Sequence, residues 1–282
     1  MTDPEQHAGV ADVDCSGLTA LVTGSTSGIG RETALALGRL GADVVVHGRD
    51  TTAGRRQFLD DRAAGATATF ESADFADVSA VKSLAAAVDE WVDELDILVN
   101  NAGGLFREGR LTDIGVEYTF HVNHLAPYLL TAELLPTLAD DARIVTTSSA
   151  AHRGVSLDID AVESVADYSS FRAYQRSKLA NIQFSSALAR RLEQAGRPTT
   201  ANALHPGAIP GSGFTRFLPG PLSELAGLAR RLPRVPPPAA VATTAAHPAP
   251  RPRGPQVRPR RLAASRSAPP APSPRRRRAS AH

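Results

Sequence analysis

The sequence holds one cysteine, Cys15, in 282 residues. That excludes an internal disulfide and any cysteine-based zinc site. No apolar run reaches the length of about 18 residues that a bilayer-spanning helix needs. The opening MTDPEQHAGVADVD is polar and acidic, so no secretory leader is expected and the chain reads as cytoplasmic. His47, His121, His124, His152 and His205 stand in no HExxH or CxxC context, so no metal site is expected. No internal repeat is visible, which sets aside solenoids and propellers.

A second absence is local. Residues 235–282 contain no Asp, Glu, Lys or aromatic residue, but 12 Pro, 12 Ala and 10 Arg. Ten of the 31 basic residues therefore lie in this tail, leaving 21 basic against 29 acidic residues in the rest. The net charge of +2 averages a body at −8 and a tail at +10, and the two are read separately.

Residues 1–17 read as a flexible leader. Strand and helix patterns then alternate. LTALVTG, ADVVVHG, ATATFES, LDILVNNAG, ARIVTTSS and TTANALHPG read as six strands, most of them short apolar runs ending in Gly, Ser or Asn. Helical spacing covers residues 30–40, 78–91, 114–138 and 173–194. This βα alternation predicts an α/β fold: a doubly wound, Rossmann-like parallel sheet covered on both faces. In such sheets ligands bind at the carboxyl ends of the strands, where strand order reverses.

The first strand is followed by Gly24-Ser25-Thr26-Ser27-Gly28-Ile29-Gly30, which opens a helix. Glycine permits a tight turn and a close backbone approach, and the helix N-terminus offers N–H groups to a pyrophosphate. The second strand ends His47-Gly48-Arg49-Asp50. Gly48 is expected to leave space, and the Arg49 guanidinium to fork onto the 2′-phosphate of NADP, making NAD the less favoured cofactor. Asp74, beside Phe75, suits the adenine amino group. Asn101-Ala102-Gly103 brings small residues and an amide to the ribose.

Tyr174 and Lys178 stand four residues apart, on one face of one helix. A free phenol has a pKa of about 10, and bringing it toward neutrality takes about 3–4 kcal/mol of differential stabilisation, which a fixed lysine together with the positive nicotinamide of an oxidised cofactor can supply. Ser148-Ser149 ends the fifth strand, where a hydroxyl can bind a substrate oxygen. Asn123 lies within a helical stretch and suits a relay water.

These residues, TGSTSGIG, NNAG, the Asn of VNHLAP, the Ser of TTSSAAH, YQRSK and HPG, occur in the order seen in the short-chain dehydrogenase/reductase family, which residues 18–210 resemble. GIGRETALAL, FHVNHLAPYLLT and YQRSKLANIQFSSALARRL look most like its retinol-dehydrogenase-like branch. The resemblance implies a catalytic set of Asn123, Ser149, Tyr174 and Lys178. In it Tyr174 is the general acid/base, Lys178 its electrostatic partner and ribose ligand, Ser149 the carbonyl orienter and Asn123 the holder of a relay water. It adds Pro206, Gly207 and Ile209 to the cofactor contacts. It implies a nicotinamide-dependent oxidoreductase, with homo-oligomers common; joined to the Arg49 reading, the expected function is an NADP-dependent oxidoreductase acting on a carbonyl or alcohol, expected to be apolar.

After HPG the sequence departs from the family. Where the family places a Thr stands Gly211, with Ser212 and Thr215 nearby, and residues 214–231 suit a substrate lid. The usual last strand is expected to be missing. Residues 235–282 carry too few apolar side chains to offset their ordering entropy, so a disordered tail is expected beyond an enzyme domain of residues 18–234. The tail composition is what an out-of-frame GC-rich stretch gives. Two other readings therefore stand beside the enzyme: a catalytically impaired or misfolded relative, and a protein making weak, non-specific, salt-sensitive nucleic-acid contact through ten arginines.

Overall fold

A computed structural model of the chain describes Val10, residues 12–50 and residues 67–206. Its strands are β1 (Thr19–Val22), β2 (Asp43–Gly48), β3 (Ala68–Ser72), β4 (Leu95–Asn100), β5 (Leu138–Thr147) and β6 (Thr200–Leu204). All pair in parallel, in the order β3-β2-β1-β4-β5-β6. This is the doubly wound α/β sheet that the alternating pattern predicts.

The pleat sends successive side chains to opposite faces. Leu21, Val45, Leu98 and Ile144 join Leu84, Val88, Leu130 and Leu134 in one core. Their strand neighbours Val22, Val44, Val46, Ile97, Val99 and Val145 join Ala34 and Leu37 in the other. Both faces are covered, which is why these strands read as continuous apolar runs rather than as an alternation.

The helices are α1 (Gly28–Arg39), α2 (Val78–Trp91), α3 (Tyr118–Phe120), α4 (Ala126–Leu134) and α5 (Ser170–Gln194). Asp77 caps α2 by accepting from the Ser79 and Ala80 N–H groups. Ser169 caps α5 by accepting from the Arg172 N–H, so the helix starts slightly before the expected residue 173.

The expected helix over residues 114–138 is shorter and interrupted. The buried Glu117 carboxylate accepts from the Thr119 and Phe120 N–H groups at 2.6 and 3.0 Å, which starts α3 at Tyr118. A π-helical turn, His121–Leu125, joins α3 to α4. Pro127 stands four residues beyond Asn123 and has no N–H to give its carbonyl, so the regular ladder fails there. α4 ends at Leu134, and β5 begins at Leu138, earlier than expected.

The loose leader is also corrected over its described part. Cys15 is fully buried, its N–H donates to the Leu40 carbonyl at 2.7 Å, and Val13 packs on the same core. The expected lid, missing strand and disordered tail lie outside the described residues. Among the described residues no helix is long and apolar enough to cross a membrane.

Candidate active site

The chain builds outward from β1 through β2 to β3, then returns to lay β4 on the other side of β1. The strand order therefore reverses between β1 and β4, and a crevice is expected at their carboxyl ends. Asn101 and Ala102, just past β4, close one wall of it. Their N–H groups donate to Thr23 Oγ1, both at 3.0 Å. Asn101 Nδ2 donates to the Thr23 carbonyl at 2.9 Å and to the Gly24 carbonyl at 3.3 Å. A Cβ on Gly24 would lie 2.8 Å from Ala102 Cα, and one on Gly30 would lie 2.4 Å from the Gly24 oxygen. Glycine is thus required for the turn to fold against the segment after β4.

The outer part of that turn is different. Ser27 and Gly28 are exposed, Gly28 has φ +58°, and a Cβ there would meet open space. Ser27 makes no capping bond, and the first turn of α1 holds no acidic residue. The positive end of α1 is therefore presented outward, which is the chemistry a dinucleotide pyrophosphate needs. The residues present fit such a cofactor.

Several of the expected contact residues also have partners within the fold. Ser25 is buried, donating to the Val22 carbonyl at 2.6 Å and accepting from the His47 N–H at 3.0 Å, so it shapes the turn. The space at Gly48 is filled by Thr26, whose Cγ2 would lie 2.4 Å from an added Cβ. The Phe75 side chain is 2% exposed in the core and stacks on His47, so its ring faces no ligand. Ile29 packs on the core around α1. Arg49 and Asp74 are exposed at the ends of β2 and β3, with one Asp74 carboxylate oxygen accepting from the Ala76 N–H at 3.0 Å. Pro206 follows β6, while Gly207 and Ile209 lie outside the described residues.

His47 was not expected to take part in this site. It accepts from the Gly24 N–H at 3.1 Å and contacts the Ala73 carbonyl at 3.1 Å. Burial pushes its pKa down to about 4, against smaller opposing effects of the Ala73 carbonyl and the Asp74 charge. Its partners lie 23 and 26 residues away in the chain, so no local pattern announces them.

At the other side of the crevice, Ser149, Tyr174 and Lys178 come together. Tyr174 is 9% exposed and bonds the Ser149 side chain. The Lys178 ammonium lies 5.6 Å from the Tyr174 ring centre and donates to the Thr147 carbonyl at 2.9 Å. Lys178 is buried, and burial pushes its pKa down to about 8. Burial raises the Tyr174 pKa, with the Ser149 bond opposing it. Among the protein groups around Tyr174, burial is the largest influence on the phenol. Ser148 turns away, donating to the Lys178 carbonyl at 2.8 Å, while Ser149 faces Tyr174.

The Asn123 side chain is fully engaged by neighbouring groups. Its Oδ1 accepts from the Gly104 N–H at 2.8 Å. Both amide hydrogens are engaged, by the Gly104 carbonyl at 2.8 Å and Ser177 Oγ at 3.0 Å. The side chain therefore clamps the segment after β4, against which Gly103 passes so closely that a Cβ would lie 2.7 Å from Oδ1. The Asn123 carbonyl that Pro127 leaves without its helical donor accepts from Asn181 Nδ2 at 3.1 Å. Asn181 also donates to the Thr147 carbonyl at 3.2 Å and bonds His124 Nδ1 at 3.0 Å. Asn181 stands three residues after Lys178 on the same helix face, a spacing that could have flagged it.

Comparison with known proteins agrees with this geometry. The family described as short chain dehydrogenase matches residues 18–217. The chain belongs to the short-chain dehydrogenase/reductase family, in its retinol-dehydrogenase-like branch. It is 40% identical over 228 residues to dehydrogenase/reductase SDR family member 13 of Bos taurus, covering 77% of this chain and 59% of that one. It is 38% identical over 207 residues to retinol dehydrogenase 14 of Mus musculus, covering 68% and 61%. Among solved structures, a short-chain dehydrogenase of Burkholderia cenocepacia in complex with NADP is 32% identical with a TM-score of 0.58, covering 68% of this chain and 74% of that one. The chain thus spans about three fifths of the length of the first two relatives. As a short-chain dehydrogenase/reductase it is of an oxidoreductase family whose fold binds a nicotinamide cofactor and a small-molecule substrate.

Proposed function

We propose that this chain moves a hydride between NADP(H), with NAD less favoured, and an apolar carbonyl or alcohol, with Tyr174 as general acid/base. The observation that carries the reading is the Ser149–Tyr174–Lys178 arrangement at the end of β5, where a bonded phenol stands beside a buried ammonium. The family's NADP-bound relative and the exposed Arg49 at the end of β2 favour NADP. The outward α1 terminus at Ser27 and Gly28 would hold the pyrophosphate, Asp74 the adenine, and Lys178 the ribose. The cofactor, when bound, supplies or accepts the hydride.

In reduction, Tyr174 gives its phenol proton to the substrate oxygen while Ser149 donates a hydrogen bond to that same oxygen. Tyr174 is left as a phenolate, which the nearby Lys178 ammonium stabilises. In oxidation the proton returns from the alcohol to the phenolate. Burial matches both states: it keeps Tyr174 a proton donor before the step and strengthens the attraction of Lys178 after it. Asn123 acts by holding Gly103–Gly104 in place. The catalytic domain is proposed to cover residues 18–234, with residues 235–282 outside it; the family match ending at residue 217 supports this.

The test is the full-length chain incubated with NADPH and a panel of apolar aldehydes and ketones, and with NADP⁺ and the matching alcohols. Consumption of NADPH with stoichiometric alcohol formation is the expected result. Cofactor binding with no turnover across the panel would favour a chain that keeps the site without activity.

A further inference from the structure

We infer that His47 is a positioning residue of the cofactor site: its neutral imidazole ties the glycine turn after β1 to the segment after β3. The inference rests on the NADP(H) reading above and deepens it, because His47 would set the cleft for the adenosine-phosphate half of the cofactor without touching a reacting atom.

The two ring nitrogens fix each other's roles. The Gly24 N–H can only donate, so Nδ1, at 3.1 Å, accepts. Nε2 then carries the hydrogen and donates to the Ala73 carbonyl at 3.1 Å. One neutral tautomer satisfies both neighbours; the doubly protonated ring would set Nδ1–H against the Gly24 N–H. The backbone of His47 is held by the same turn. The Ser25 N–H donates to the His47 carbonyl at 2.8 Å, and the His47 N–H donates to Ser25 Oγ at 3.0 Å. Phe75 stacks on the ring with centres 4.6 Å apart and planes 23° apart.

The placement gives this arrangement a function. β2 lies between β1 and β3 in the sheet, and His47 on β2 reaches the end of each. On one side it holds Gly24, whose φ of +63° turns the chain toward the outward end of α1. On the other it holds Ala73, the residue before Asp74. The ring thus sets the distance between the pyrophosphate-facing turn and the adenine-facing acid. An apolar side chain of similar size would fill the space but offer neither an acceptor nor a donor, leaving the Gly24 N–H without its partner.

The test compares the full-length wild type with His47→Asn and His47→Gln, using NADPH and NADH titrations followed by nicotinamide fluorescence and circular dichroism to verify the fold. Asparagine places an amide oxygen where Nδ1 lies and keeps an acceptor for Gly24. Glutamine reaches toward Ala73 but offers nothing at the Nδ1 position. The expected result is that His47→Gln weakens NADPH and NADH alike, by about tenfold, the effect of one unsatisfied part-buried donor. His47→Asn is expected to stay within about threefold of wild type. An unchanged affinity in folded His47→Gln, or equal losses in the two variants, would overturn the inference. Loss of the folded state in both would mark His47 as a packing residue and overturn it too. A wild type that binds neither cofactor would instead overturn the NADP(H) reading itself, and this inference with it.

Discussion

The two walls of the crevice are built on different principles. On the nucleotide side, after β1, β2 and β3, most of the side chains that look like ligands hold one another. Asn101 secures Thr23 and Gly24, Ser25 secures Val22 and His47, and Phe75 lies in the core. What faces outward is backbone, at Ser27 and Gly28, with Arg49 and Asp74 at the rim. On the reacting side, after β5 and along α5, the side chains themselves are the instrument, and burial shifts both Tyr174 and Lys178 from their ordinary values. Substitution on the first side should therefore change cofactor affinity, and substitution on the second should change the chemical step.

The largest effect expected is on turnover. Tyr174→Phe should lower kcat by about 10²- to 10⁴-fold, the usual range for removing a general acid/base, as measured by NADPH consumption at saturating cofactor. Retention of activity would show that another group supplies the proton.

Lys178→Met should sharpen the contrast by separating stability from function. Folding lowers the Lys178 pKa from 10.5 to about 8 by burial. A lysine whose folded pKa is depressed costs stability below that value, and the cost is relieved as pH rises from about 8 to 10.5. At neutral pH the cost is about 3 kcal/mol, offset by about 1 kcal/mol for the bond to the Thr147 carbonyl. Lys178→Met should therefore lose turnover and gain about 2 kcal/mol in denaturant unfolding at neutral pH. A less stable variant would contradict the reading.

His47 gives the matching test on the nucleotide side. Its folded pKa of about 4 lies below the ordinary 6.5, with desolvation the main cause. Its contribution to stability is then fully present above pH 6.5 and is lost as pH falls from 6.5 toward 4. This amounts to about 3 kcal/mol. Burial lowers His121 and His124 in the same direction, so the comparison that isolates His47 is the acid slope of wild type against His47→Asn in urea titrations. The variant should show the shallower slope; parallel slopes would remove His47 as the cause.

The smallest effect is at the rim. Arg49→Ala should weaken NADPH about tenfold more than NADH, the cost of one charge-assisted phosphate contact near the surface. Equal losses for both would place the 2′-phosphate elsewhere.

Much of the fold was legible because both sheet faces are covered, so β1, β2, β4 and β5 read as apolar runs with a helix between them. The pairing of Tyr174 and Lys178 on one helix face was legible from their four-residue spacing, but their roles came only with the ordered set of motifs that resembles the family. The misreadings share a cause: a side chain acting on a backbone group that sequence patterns do not show. Glu117 begins α3 with its own carboxylate, which the apolar pattern over residues 114–138 could not reveal. Asn123 has the expected position, but its amide bonds Gly104 and Ser177, partners that the fold alone brings near. His47 reads as an unremarkable strand residue until Gly24 and Ala73 close on its two nitrogens. Asn181 was missed although its three-residue spacing from Lys178 was visible in the sequence.

The division between the two walls is tested most directly by measuring, in one set of preparations, the NADPH dissociation constant and kcat at saturating NADPH for wild type, Tyr174→Phe and His47→Gln. The account predicts that Tyr174→Phe loses kcat and keeps its affinity, while His47→Gln loses affinity and keeps most of its kcat. If both variants lower both quantities together, binding and chemistry are not divided between the two sides of the crevice, and the account is wrong.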